Sequence, residues 1–348
     1  MIKRGKTMLQ IGFTYIGTVV GAGFASGQEI FQFITRFGDK SLFIIAICTV
    51  LFIAAGNKIM LISAQINAPS YHQFNNHMFG HTIGRWINWA TLAMLICITG
   101  VMLAGTGALF EQQFGGYYQA GIFCTMLLIY VVTLRGMEAI IAVNSVVVPL
   151  MIAFNLLIAI KTFTIHGIAS APSLPAAGGW LYSPFLYVSF NVILGLAVLV
   201  PLGNEIRDKY SIIGGGIIGG LGLGLLLFLS NYALSAHFEQ IRGAEIPMAQ
   251  IVSMFSPVVH WLFSLIILGE IFTTLVGNVF GLTRQLELFL PPSFQKQFII
   301  LSLLLVCYVI SQFGFSTLVH HLYPLFGYIS AGTLILIFSK KKRQPSLF

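Results

Sequence analysis

Long apolar stretches separated by short polar connections repeat along the whole chain. Each approaches the roughly 20 residues that an α-helix needs to cross the hydrocarbon core of a bilayer. On this scale the chain divides into ten segments, at about 7–37, 41–64, 85–113, 117–134, 138–161, 182–206, 211–235, 257–285, 296–313 and 315–339. The pattern predicts an all-α membrane protein with about ten transmembrane helices.

Composition supports this class and narrows the partners. Only 8% of the 348 residues are charged, against roughly 25% in soluble domains. The net charge of +8 comes from Lys and Arg at segment ends, and these residues form no stripe that could bind nucleic acid. The predicted partner is therefore the lipid bilayer and not nucleic acid, and no oligomeric state follows from the pattern.

The distribution of Lys and Arg predicts the orientation. If the N-terminus is cytoplasmic, 14 of the 18 basic residues lie at cytoplasmic ends of the segments and 4 at outer ends. Basic residues concentrate on the cytoplasmic side of membrane proteins. We therefore expect a multi-pass protein of the cell membrane with both termini in the cytoplasm.

An odd number of spans in each half gives the two halves opposite topology. We expect one transporter domain over 1–348, with five-helix repeats at about 7–161 and 182–339 and a basic cytoplasmic tail at 340–348. Glycines interrupt segment 1, and segment 6 has a weak point at "SFNVILG" (189–195). Interrupted helices at matching positions of inverted repeats mark transporter binding sites. We therefore expect a 5+5 inverted repeat in which helices 1 and 6 are broken.

Three further stretches carry weaker signals. The glycines of 214–224 predict a close-packing helix surface. The stretch 236–256 predicts a short amphipathic helix outside the core, and 166–180 predicts a Pro- and Gly-rich loop. The histidines of 72–81 and 320–321 have no metal-ligand spacing with carboxylates, and we expect those of 72–81 to lie on a solvated cytoplasmic loop.

The first segment contains "GTVVGAGFASGQEI" (17–30). Its 31 residues would form a helix of about 46 Å, against a hydrocarbon core of about 30 Å. Two half-helices with an unwound joint fit better. Carbonyl groups near Gly17 to Val20 would suit a cation, and N–H groups near Ala22 to Ala25 would suit an anion. The alternative is that Gly17/Gly21 and Gly23/Gly27 are GxxxG packing pairs, and this segment alone leaves both interpretations open.

Segment 8 supplies a second polar cluster. Glu270, Thr273, Thr274 and Asn278 recur at helical spacing and share one face. Adjacent hydroxyls beside helix carbonyls provide neutral oxygen ligands for Na⁺, although a threonine can equally bond the carbonyl four residues before it. A carboxylate within a span is a functional hypothesis by default, so Glu270 and Glu29 are candidates for proton coupling.

With these motifs the chain resembles the LeuT-type transporters of the amino acid–polyamine–organocation superfamily, and "GAGFASGQE" is similar to the wording of bacterial YkvI-like membrane proteins. The resemblance implies a sodium site made by the backbone carbonyls of Gly17, Val20 and Glu270 and the hydroxyls of Thr273 and Thr274. Proton-coupled relatives can carry a Lys in helix 5, and "AVNSVVVPLMIAFN" has none, which favours sodium.

The predicted substrate site combines the joint of segment 1 with segments 3, 6 and 8. Its residues are Ala22, Gly23, Phe24, Ala25, Ser26, Thr99, Phe190, Asn191 and Asn278. Aromatic walls and amides suit a small amphipathic solute. Helix 3 lacks the Tyr that often binds a substrate carboxylate in similar carriers and offers only Thr99 and Thr106 there.

These residues predict a sodium-coupled symporter that works by alternating access, with an amino acid or an amino-acid-like zwitterion as substrate. Na⁺ is the coupling ion and no other cofactor is predicted. Two alternatives stay open, a proton-coupled carrier on the same fold and a transporter-like solute receptor without net transport. The sequence has no GxSxG, P-loop or HExxH motif, so no enzyme is predicted.

Overall fold

A computed structural model describes residues 2–167, 179–241, 247–287, 289–291, 295–313 and 315–339. Every regular element within these ranges is helical, and each of the ten predicted segments coincides with helical structure. The elements are α1 (Ile2–Val19), α2 (Ala22–Ala25), α3 (Gln28–Phe33), a 3-10 helix (Thr35–Lys40), α4 (Ser41–Ile66), α5 (Tyr71–Phe114), α6 (Tyr118–Leu134), α7 (Met137–His166), α8 (Ser183–Ile206), α9 (Lys209–Ala236), α10 (Phe238–Ile241), α11 (Pro247–Ser253), α12 (Pro257–Leu286), α13 (Lys296–Ser311) and α14 (Phe315–Ser339).

Helix length and hydropathy agree with a polytopic membrane protein. Among the described residues, six helical stretches are long and apolar enough to cross a membrane, and three shorter apolar helices accompany them. The six begin at Thr35, Tyr71, Met137, Ser183, Lys209 and Pro257. The first predicted span is built differently, because α1, α2 and α3 divide it into short pieces.

The helix packing has the symmetry of two related halves. α1 packs against α9, and α4 packs against α8. Exchanging the first five spans (α1, α4–α7) with the last five (α8, α9, α12–α14) converts one of these contacts into the other. The same exchange relates the α1–α7 contact to the α8–α14 contact, and the α5–α13 contact to the α12–α6 contact. This reciprocity is the arrangement expected of a 5+5 repeat.

The first span is interrupted where its glycines lie. α1 ends at Val19, and Val20 and Gly21 are not helical. A second break follows α2, where Gly27 has φ 78°, a left-handed conformation that glycine adopts without steric cost. A Cβ on Gly27 would also lie 2.9 Å from Met248 Cγ. The predicted division of helix 1 is therefore present.

The predicted break in helix 6 is wrong. α8 is one α-helix of 24 residues that runs through 189–195 without interruption. Ser189 Oγ donates to Phe185 O at 2.5 Å and Asn191 Nδ2 donates to Tyr187 O at 2.9 Å. The polar side chains thus bond carbonyls one turn back in the same helix. Gly195, the other residue behind the prediction, costs a helix only about 1 kcal/mol relative to Ala, which the burial of α8 offsets.

The histidine-containing stretch after α4 is also not the predicted loop. It forms the first part of α5, which bends at Gly80, where φ is 77°. Phe74 and Asn75 are fully buried there, so this part of the helix is packed, whereas His77 and His81 are exposed, as predicted. The sequence shows the apolar residues of this stretch. A pattern of only ten residues is too short, however, to distinguish a packed helix from a polar loop.

The remaining weaker signals have mixed outcomes. The glycines of α9 are a close-packing surface as predicted: Gly215 and Gly219 lie against α1, and Gly216 and Gly220 lie against α4. The stretch 236–256 holds two short helices, α10 and α11, with buried apolar side chains. Most of the predicted loop at 166–180 and the whole tail at 340–348 lie outside the described residues.

Candidate functional site

The interrupted end of α1 faces the polar side of α12. The last carbonyl groups of an α-helix have no partner within the helix, and a span that ends inside the protein must satisfy them there. Thr273 and Thr274 lie opposite the end of α1 and are 2% and 8% exposed. The structure thus brings together the two segments in which the sodium ligands were predicted.

Two threonine hydroxyls connect three carbonyl oxygens. Thr273 Oγ1 lies 3.2 Å from Gly17 O and 2.9 Å from Glu270 O. Thr274 Oγ1 lies 2.7 Å from Val20 O and 3.2 Å from Glu270 O. Each hydroxyl therefore lies within hydrogen-bonding distance of one carbonyl oxygen at the end of the first helix and of Glu270 O on α12.

This cluster contains more acceptors than donors. Each hydroxyl has one hydrogen and is within reach of two carbonyl oxygens, so it can donate to only one of them at a time. Oxygen atoms that crowd together without enough hydrogens create a negative potential in a buried, low-dielectric place. Such an arrangement favours a small cation, and neutral oxygen ligands of this kind suit a hard ion.

The side-chain carboxyl of Glu270 does not belong to this oxygen cluster. Only its backbone oxygen joins the cluster, whereas the residue also lines a separate small cavity with Phe24, Ala25, Asn155 and Met248. Glu270 is 3% exposed, and Oε2 has no hydrogen-bond partner among the described protein atoms. The structure therefore separates the predicted carbonyl role of Glu270 from a role of its carboxyl group.

A second small cavity lies beside these oxygen atoms, on the side of α8. It has a volume of about 20 Å³, room for about one water molecule, so the site is closed in this conformation. The predicted residues Phe190 and Asn191 line it. The other lining residues are Thr18, Val19, Gly21, Glu29, Ile98, Met102, Leu194 and Thr274.

Glu29 is the acidic residue of this cavity. It is 7% exposed, its carboxyl interacts with the side chain of Asn191, and Oε2 has no hydrogen-bond partner among the described atoms. A Cβ on Gly23 would collide with Glu29 Oε1, so the carboxyl lies directly on the backbone of α2. Any residue larger than Gly23 would leave no room for this carboxyl, and neither Lys nor Arg is among the described residues that line the cavity.

Other predicted substrate residues lie elsewhere. Thr99 is fully buried and donates to Leu95 O in its own helix. Ser26 Oγ donates to Gly23 O and accepts from Gln28 N, so it stabilises the turn after α2.

Phe24 and Ala25 line the Glu270 cavity, and Ala22 begins α2. Asn278 is 3% exposed with Nδ2 unpartnered among the described atoms, and it lines neither cavity.

Sequence reasoning missed several residues of the site. Ile98, Met102 and Leu194 line the Glu29 cavity, and nothing distinguishes them in sequence from the many other apolar residues of the spans. Asn144 on α7 carried a signal, since an amide within a span is uncommon. A Cβ on Gly17 would collide with Asn144 Oδ1, which has no partner among the described atoms. Gly17 therefore also serves close packing, as the GxxxG alternative predicted.

No family model matches the chain. The membrane protein YkvI of Bacillus subtilis (strain 168) is 40% identical over 341 residues, which cover 97% of this chain and 97% of YkvI. The chain belongs to the YkvI family of membrane proteins. A second protein of that organism, YyaD, is 26% identical over 326 residues, covering 92% of this YkvI-family chain and 93% of YyaD.

Solved structures share the fold of this YkvI-family protein. A Na⁺-coupled sialic acid symporter in its substrate-bound outward-open state matches with a TM-score of 0.70 at 11% identity, over 95% of this chain and 78% of the symporter. Mhp1, a nucleobase-cation-symport-1 family transporter in a closed conformation, matches at 0.64 and 12%, over 95% and 77%. A manganese transporter of Eremococcus coleocola matches at 0.62 and 12%, over 95% and 76%.

These similarities establish the architecture. The chain is an all-α, multi-pass membrane protein with the LeuT-type fold, as the sequence predicted, apart from the continuous α8. At sequence identities of 11–12%, these similarities show a shared fold and no more than that.

Proposed function

We propose that this protein is a sodium-coupled secondary active transporter of a small organic solute and works by alternating access. The observation that carries the proposal is the convergence of Gly17 O, Val20 O, Glu270 O and the hydroxyls of Thr273 and Thr274. The similar structures, which include a Na⁺-coupled symporter, support a transport function. Both termini would be cytoplasmic, in line with the distribution of Lys and Arg.

The ion would couple to conformation because its ligands come from two elements. The carbonyls of Gly17 and Val20 lie at the end of α1, whereas the carbonyl of Glu270 and both hydroxyls belong to α12. If α1 moves away from α12, the ligand set is divided and the affinity falls. A ligand that prefers one state shifts the population toward it, and a 100-fold difference in Na⁺ affinity corresponds to about 2.8 kcal/mol. Sodium would therefore stabilise the state in which the α1–α12 contact is closed.

The solute would bind in the Glu29 cavity after that cavity widens. Among its described lining residues the one ionisable group is the carboxyl of Glu29, and its apolar walls are supplied by residues such as Ile98, Met102 and Phe190. An ammonium group near Glu29 and Asn191 would be electrostatically favoured, and the apolar part of the solute would contact the walls. These features suit an amino acid or an amino-acid-like zwitterion whose amino group faces Glu29.

A two-stage experiment tests the proposal. Thermal unfolding of the purified protein is screened with amino acids, betaines and nucleobase-like compounds, each in NaCl and in KCl of equal ionic strength. Compounds that stabilise only in Na⁺ are then offered to proteoliposomes with an inward Na⁺ gradient. We expect accumulation that disappears when the gradient is removed. Stabilisation that is equal in both salts, together with uptake indifferent to Na⁺, would refute sodium coupling.

Proton coupling is the second candidate, and one observation favours it. Glu29 and Glu270 are both buried, and each has a carboxyl oxygen without a partner among the described atoms. A carboxyl group inside a membrane protein commonly marks a proton relay. Uptake driven by a pH gradient in the absence of Na⁺, and lost in Glu29→Gln or Glu270→Gln, would support this mechanism. Solute binding without accumulation under either gradient would instead indicate a receptor.

A further inference from the structure

A much larger cavity lies apart from the transport site. It has a volume of about 500 Å³, within the range of small-molecule sites. Its described lining residues belong to α5, to the end of α12 and to Phe289, which follows α12. No residue of α1 or α8 lines it, so it does not belong to the cavities described above.

The bend in α5 builds this cavity. At Gly80 the helix changes direction, and the part before the bend returns toward the part after it. Asn75 Nδ2 donates to Asn88 Oδ1 at 2.8 Å, and Asn88 Nδ2 donates to Asn76 Oδ1 at 3.1 Å. A Cβ on Gly84 would lie 2.7 Å from Asn76 Oδ1, so Gly84 permits this close approach. The cavity walls are therefore held by a buried amide network.

The polar lining is cationic and rich in donors. Arg85 is exposed, and its guanidinium contacts His81 Nδ1 at 3.1 Å. Neither Asp nor Glu is among the described lining residues, and no ion pair within 4 Å involves Arg85 in the described part of the chain. Gln285 is 1% exposed, and its Oε1 has no partner among the described protein atoms. A ligand here would meet a positive charge and one buried acceptor that needs a donor.

The apolar lining places the cavity at a membrane boundary. Trp89 and Phe289 stack with ring centroids 6.3 Å apart and are 59% and 54% exposed. The adjacent Trp86 is 76% exposed. Exposed tryptophans at the end of a span are typical of the interface between lipid and water. The opening is therefore accessible to molecules that have a polar head and an apolar body.

We propose that this cavity binds a phosphate group carried on an apolar body, with Arg85 as the main anion contact. Arginine matches phosphate geometry through paired N–H donors. The stacked rings of Trp89 and Phe289 would contact the apolar part, and a hydroxyl of the headgroup would donate to Gln285 Oε1. An anionic phospholipid with a glycerol headgroup provides all three features, and free phosphate shares only the first.

Tryptophan fluorescence of the purified full-length protein tests the proposal, because Trp89 lines the cavity. The probes are short-chain phosphatidylglycerol, short-chain phosphatidylcholine and inorganic phosphate. We expect a saturable change with phosphatidylglycerol that is absent in Trp89→Phe and retained in Trp86→Phe. Arg85→Gln should weaken binding about tenfold or more, whereas Arg135→Gln, at a helix end outside the cavity, should leave it within about twofold.

The outcomes separate the sources of the phosphate. A change with phosphatidylglycerol alone identifies a lipid site, and an equal change with inorganic phosphate that Arg85→Gln removes identifies a site for soluble phosphate. Equal responses to both lipids, or equal affinities of Arg85→Gln and Arg135→Gln, would overturn the proposal. If Arg85→Gln fails to fold, Gln285→Leu is the second variant. It removes the unpartnered acceptor and should weaken phosphatidylglycerol binding about threefold.

Discussion

The first helices of the two halves occupy corresponding places and have different structures. The first span is divided at Val20–Gly21 and again at Gly27, whereas α8 is continuous from Ser183 to Ile206. Both contain glycine and polar residues, and the sequence predicted that both would break. Composition alone therefore does not decide whether a buried span unwinds.

The difference lies in what satisfies the backbone. The carbonyls at the end of α1 meet hydroxyls from another helix, Thr273 and Thr274. In α8 the polar side chains bond carbonyls of the same helix, and no neighbouring group is needed. Because an unpaired buried carbonyl is costly in a membrane, a span opens only where a partner is available across the interface.

α12 packs against both first helices, α1 and α8, and its contacts with the two differ. Thr273 and Thr274 face α1, whereas a Cβ on Gly277 would lie 2.8 Å from Val198 Cγ2 on α8. α12 therefore presents two hydroxyl groups to the divided first span and, at Gly277, a surface without a side chain to the continuous α8. The predictions below use this contrast.

The largest effect should come from removing the two hydroxyls that partner α1. Thr273→Val combined with Thr274→Val keeps the side-chain shape and deletes two of the five oxygens. We expect the apparent Na⁺ affinity, measured from thermal stabilisation, to fall at least about 100-fold. The reason is that each contact to a charged group contributes about 1.5–3 kcal/mol. Thr283→Val is the matched control, because Thr283 is buried on the same helix and bonds its own Val279 O. A similar loss in Thr283→Val would contradict the assignment.

Substitutions of the two buried carboxyl groups should distinguish solute binding from ion binding. Glu29→Gln removes the carboxyl group that could pair with an ammonium in the α8-side cavity and should weaken binding of an amine-bearing solute by about 2 kcal/mol or more, with Na⁺ stabilisation retained. Glu270→Gln leaves the backbone ligand in place and should also retain Na⁺ stabilisation. Thermal shifts with and without the solute measure both. Loss of the Na⁺ response in Glu270→Gln would show that its carboxyl, and not only its carbonyl, serves the ion.

Glycine replacement should have opposite effects in the two helices. Gly27→Ala places a side chain at φ 78° and should destabilise the protein by about 1–2 kcal/mol. Gly195→Ala puts a Cβ at an ordinary 3.4 Å from Leu199 Cδ1 and should stabilise it by about 0.5–1 kcal/mol. Apparent melting temperatures in detergent provide the comparison. A lower melting temperature for Gly195→Ala than for Gly27→Ala would mean that α8, not α2–α3, carries the strained conformation.

The smallest effect should come from the ion pair that joins α8 to α12. Glu205 Oε1 lies 3.8 Å from Arg284 Nη2, and both side chains are about 40% exposed. A double-mutant cycle with Glu205→Gln and Arg284→Gln should give a coupling energy below about 1 kcal/mol that decreases with salt. A larger, salt-independent value would contradict this expectation and show that the pair is a strong link between α8 and α12.

The sequence was informative where the signal is local. Hydropathy located all ten helical segments, and the spacing of Thr273 and Thr274 placed them on one helix face. The glycines of 17–27 located the interrupted span, and Gly27 has the left-handed backbone that glycine adopts most readily. These features depend on residues near one another in the chain.

Tertiary partners were beyond such reasoning. The continuity of α8 depends on where Ser189 and Asn191 find acceptors, and the packed start of α5 depends on the Asn75–Asn88 bond. The position of Glu29 against Gly23 and Asn191 needs three elements in place. Single-sequence patterns do not contain these contacts.

Equilibrium binding of ²²Na⁺ to the purified protein tests the central claim most directly. The account predicts saturable binding that excess NaCl displaces and equal KCl does not, absent in the Thr273→Val, Thr274→Val double variant and preserved in Thr283→Val. Saturable binding of unchanged affinity in the double variant, or none in the wild-type protein, would show that the oxygens between α1 and α12 do not hold sodium.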